Sequence, residues 1–80
     1  MDTTRLVTMA NDIAAFFASA ADDGSAASKV AEHLRLFWAP RMRYAIVAHL
    51  QGGGEGLDEV SRQAVALLAR TTDASHAAKS

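Results

Sequence analysis

One proline, Pro40, stands in the middle of a chain whose apolar residues otherwise recur at helical spacing. Proline disfavours helical geometry in the residue before it and suits the first turn of a new helix. The spacing therefore predicts two helices meeting at a sharp corner, Trp38-Ala39-Pro40. Two further interruptions divide the rest. Asp22-Asp23-Gly24-Ser25 breaks the chain before that pair, and Gly52-Gly53-Gly54-Glu55-Gly56 breaks it after.

Four helices follow from these breaks. The first runs from about Thr4 to Ala20, with Leu6, Met9, Ile13, Phe16 and Ala20 on one stripe and Thr3 or Thr4 as its cap. The second runs from about Ala26 to Trp38, started by Ser25 or Ser28, with Ala27, Val30, Leu34 and Phe37 facing inward. The third covers about Pro40 to Leu50, with Met42, Ile46 and Leu50 on one side. The fourth starts at Asp58, a natural N-cap, and carries Leu57, Val60, Ala64, Leu67 and Leu68 as its apolar pattern. Residues 71–80 hold no large apolar side chain and read as a disordered, flexible tail beyond a single domain of residues 1–70. The expected fold class is all-α, a small four-helix domain.

Size limits what such a domain can do. An 80-residue chain buries only about 60% of its unfolded surface and is marginal alone. It has no cysteine to staple it, which points to the cytoplasm for a domain this small. The start, Met1-Asp2-Thr3-Thr4, lacks the basic and apolar pattern of a signal peptide, and no apolar run reaches membrane-span length. The net charge of −1 argues against general nucleic-acid binding. The charge is uneven: Lys29, Arg35, Arg41 and Arg43 against Glu32 give residues 29–50 a charge of +3.

Few residues offer chemistry. His33, His49 and His76 are not spaced as paired zinc ligands, and the first two read as boundary residues with hydrogen-bonded rings. The glycine run precedes a helix but is followed by Leu57-Asp58-Glu59, whose two acids would repel a phosphate; it reads as a flexible connector. No nucleophile stands in a recognisable setting. The expected chain has no catalytic, cofactor or metal residues.

Phe37-Trp38-Ala39-Pro40-Arg41-Met42-Arg43-Tyr44 is the most informative stretch. Arg41 and Arg43 fall in the first turn of the third helix, where the dipole disfavours cations by about 0.3–1 kcal/mol each. An acidic or carbonyl-rich partner would account for them. Tyr44 and Val47 lie off the Met42/Ile46/Leu50 stripe, and Leu36 points away from Val30, Leu34 and Phe37. Trp38, at a helix end, can reach outward, and Trp and Arg are common interface anchors. The partner-binding candidates are therefore Leu36, Trp38, Arg41, Arg43, Tyr44 and Val47.

Three segments together carry a family resemblance. Met9-Ala10-Asn11-Asp12-Ile13-Ala14-Ala15-Phe16-Phe17 resembles the opening motif of the delta subunit of NAD-dependent, molybdenum-containing formate dehydrogenases. His33-Leu34-Arg35-Leu36-Phe37-Trp38-Ala39-Pro40-Arg41-Met42-Arg43 resembles that family's central segment. His49, followed by Gly52-Gly53-Gly54-Glu55-Gly56-Leu57 and a helix holding Ala64-Val65, is similar to its last part. The order and spacing of the three, over residues 6–70, carry more than any one of them.

The resemblance implies an accessory subunit of a soluble complex that oxidises formate to carbon dioxide and reduces NAD. Its other subunits are expected to hold the molybdenum cofactor, iron–sulfur clusters and FMN, with none in this chain. The implied role is assembly or stabilisation of the complex, and the expected partner is the large alpha subunit. Self-association of the isolated chain stays open. The rival reading is a small helix-turn-helix nucleic-acid-binding or regulatory protein, with helices two and three at the proline corner and Arg41 and Arg43 reaching phosphate or base.

Overall fold

The computed structural model describes residues 2–20 and 24–79, with side chains described as far as Arg70. Helix α1 spans Thr3–Ala20, α2 Ala26–Phe37, α3 Pro40–Gln51 and α4 Glu59–Lys79. Helix α4 packs against the other three, and α1 also packs on α2 and α3. The expectation of a tail apart from the domain concerns residues 71–80, whose side chains lie outside the described set. Among the described residues no helix is long and apolar enough to cross a membrane.

Each helix begins and ends where local chemistry dictates. Asp2, rather than Thr3 or Thr4, caps α1: its Oδ1 accepts the Thr4 N–H at 3.0 Å and its carbonyl accepts Arg5 and Leu6. A carboxylate at a helix start is also favoured by the dipole. Ser25 holds the N-cap position of α2, and its carbonyl accepts the Lys29 N–H. At the corner, Trp38 and Ala39 both adopt extended backbone, with ψ of 139° and 149°, and Pro40 opens α3. For Ala39 that is the geometry a following proline imposes. Asp58 caps α4, accepting the Ser61 N–H at 2.8 Å.

The core is one cluster built from all four helices. It contains Leu6, Val7, Ala10 and Ala14 of α1, Val30 and Leu34 of α2, Ile46 and Val47 of α3, and Ala64, Val65 and Leu68 of α4. Trp38, from the α2–α3 connection, and Leu57, from the α3–α4 connection, complete it. Alanines at the buried positions of α1 and α4 let these helices pack closely.

Phe16, Ala20, Phe37 and Val47 differ in burial from the sequence pattern, Ala20 being exposed at the end of α1. Phe16 is 67% exposed. The positions 6, 9, 13, 16 and 20 follow a period of 3.5, which drifts backward on a straight helix of 3.6 residues per turn. Phe16 ends about 80° from Leu6, off the buried face. Phe37 is 72% exposed although it shares a face with Val30 and Leu34. Just beyond it the chain leaves the helix and the Trp38 indole fills that end of the core. Val47, expected off the stripe, is only 9% exposed, because α3 packs against both α1 and α4 and buries a wider face.

Candidate docking face

The glycine loop is a built connection. Gly52, Gly53 and Gly54 donate their N–H groups back to the carbonyls of Ala48, His49 and Leu50, closing the end of α3. Gly54 has φ of +66°, and a Cβ there would stand 3.0 Å from Leu50 Cδ1 and Arg62 Nη1, so a side chain would be both strained and crowded. The loop carbonyls are then clamped from three helices. Arg62 Nη2 donates to Gly53 and Gly54 at 3.0 and 2.9 Å. His49 Nε2 donates to Glu55 at 2.7 Å. Asn11 Nδ2 donates to Gly56 at 2.9 Å, while Asn11 Oδ1 accepts the Asp58 N–H at 3.0 Å. The N–H groups of Gly52, Gly53 and Gly54, which an anion cradle would need, already donate to α3 carbonyls, and the clamped loop positions α4.

The two arginines of α3 have different roles. Arg43 is half-buried, and its Nη1 donates to the Arg35 carbonyl at 3.3 Å. Arg35 lies in the last turn of α2, whose orphan carbonyls attract a cation. The end of α2 thus offsets what the start of α3 disfavours. Arg41 is exposed and has no partner among the described residues. It borders a shallow hollow of about 700 Å³ with Pro40, Met42 and Tyr44.

The six partner-binding candidates therefore separate. Leu36, 57% exposed, and Tyr44, 61% exposed, present apolar surface, and Arg41 presents charge. Trp38, at 6% exposed, and Val47 belong to the core, so the outward reach expected of Trp38 is not what the fold adopts. Its backbone is extended and its indole is buried in the core cluster. Arg43 serves the α2–α3 corner.

The structure adds a feature absent from that set. Phe16, Phe17, His33 and Phe37 form a file of rings across α1 and α2. Phe16 meets Phe17 edge-on at 5.2 Å between centroids, Phe17 meets His33 at 6.0 Å, and His33 meets Phe37 at 4.7 Å. His33 is thus a boundary residue in an aromatic setting. An open groove of about 500 Å³ runs beside these rings along α2. The sequence carried a signal for this. On a helix, adjacent residues point 100° apart, so Phe16-Phe17 and Leu36-Phe37 cannot both face a narrow core.

The chemical inventory is short. The chain has no thiol to ligate iron or zinc, and no three His, Asp or Glu side chains gather among the described residues. Ser61 is the buried polar residue of the core, with its hydroxyl unpartnered. The family model described as NADH-dependent formate dehydrogenase delta subunit, FdsD, matches residues 5–65. No curated protein and no solved structure matches.

Proposed function

This chain belongs to the NADH-dependent formate dehydrogenase delta subunit family, and from that premise we propose that it is a non-catalytic accessory subunit. It helps assemble or stabilise a soluble, cytoplasmic complex that oxidises formate to carbon dioxide and passes the electrons to NAD. The molybdenum cofactor, iron–sulfur clusters and FMN of that complex reside in the other subunits, and the large alpha subunit is the docking partner.

The observation that carries this reading is the surplus of exposed large apolar side chains: Phe16, Leu36, Phe37 and Tyr44. Scattered single apolar residues are ordinary on a surface, but a contiguous patch marks an interaction site. The rings of Phe16, Phe17, His33 and Phe37 make such a patch. The lack of cysteine supports an accessory role, since iron–sulfur clusters are held mainly by thiolates.

The test is co-expression of the other formate dehydrogenase subunits with and without this chain. The expected result is co-purification of the chain with the complex, and a fall in intact complex and in formate-dependent NAD reduction when it is omitted. Full assembly and full activity without the chain would reject an assembly or stabilising role.

A further inference from the structure

We draw no further inference here: the strongest candidate, the aromatic face of α1 and α2 formed by Phe16, Phe17, His33 and Phe37, is an open apolar surface whose lining carries one charge of each sign, Lys29 and Glu32, and nothing in the structure shows what covers it.

Discussion

Replacing Arg43 should lower the melting temperature and replacing Arg41 should not, although both lie in the first turn of α3. Arg43 donates to the Arg35 carbonyl at 3.3 Å from a half-buried position. A hydrogen bond involving a charged group contributes about 1.5–3 kcal/mol, and the long distance places this one at the low end. The cation gains about 0.3–1 kcal/mol at the end of α2 and loses a similar amount at the start of α3. Those two dipole contributions cancel. The buried Nε of Arg43 has no partner, and removing it returns part of the loss.

The net expectation for Arg43→Gln is a destabilisation of about 1 kcal/mol, or about 4–8 °C in melting temperature for a domain of this size. Arg41→Gln removes only the unfavourable dipole contribution and should leave the melting temperature unchanged or raise it by a few degrees. Thermal melts by circular dichroism at low and high salt separate the two. The Arg41 effect should fade in 1 M salt, where the screening length is about 3 Å, while much of the Arg43 effect persists. Equal shifts for the two variants, or an Arg43→Gln protein as stable as wild type, would refute the assignment of Arg43 to the corner.

Other perturbations follow from the same contacts. Asn11→Ala removes both bonds that tie α1 to the loop, at Gly56 and Asp58, and should cost about 1–3 kcal/mol, with faster hydrogen exchange at residues 52–58. Trp38→Ala empties a core position and should cost about 3–5 kcal/mol, much of what a domain this size has, so it should unfold at far lower denaturant. Ser61→Ala deletes a fully buried, unpartnered hydroxyl and should hold or raise the melting temperature; a loss above about 1 kcal/mol would mean that the hydroxyl has a partner.

The helices were legible in the sequence because their ends are set by local chemistry. Pro40 fixes the corner, Asp58 the start of α4, and the glycines the end of α3. What was not legible depends on distance along the chain. Asn11 reaches residues 56 and 58, far along the sequence, and nothing local marks it as a loop clamp. Arg43 reads as a misplaced cation until the end of α2 is seen beside it. Val47 reads as off-stripe until α3 is known to pack against two helices. Leu36-Phe37-Trp38 is the hardest case. Three consecutive large apolar residues cannot all enter a core, and the sequence alone favours Phe37 by periodicity. The choice falls on Trp38 because the backbone becomes extended there, which no helical pattern can express.

That choice bears on function. Burying a Phe or Leu side chain contributes about 1.5–3 kcal/mol. Phe16, Leu36 and Phe37 leave most of this unrealised in the isolated chain, a sizeable amount beside a total stability of about 5–15 kcal/mol. A partner that covers them supplies the missing burial and stabilises the folded form through binding linkage. Under the proposed docking, the same residues would make the fold firmer in the complex than alone. An aspartate at Phe37 should therefore reduce the stabilisation gained on docking while leaving the intrinsic melting temperature of the free chain where it was. A core residue such as Leu34 would behave in the opposite way, since its loss acts on the fold whether or not a partner is present.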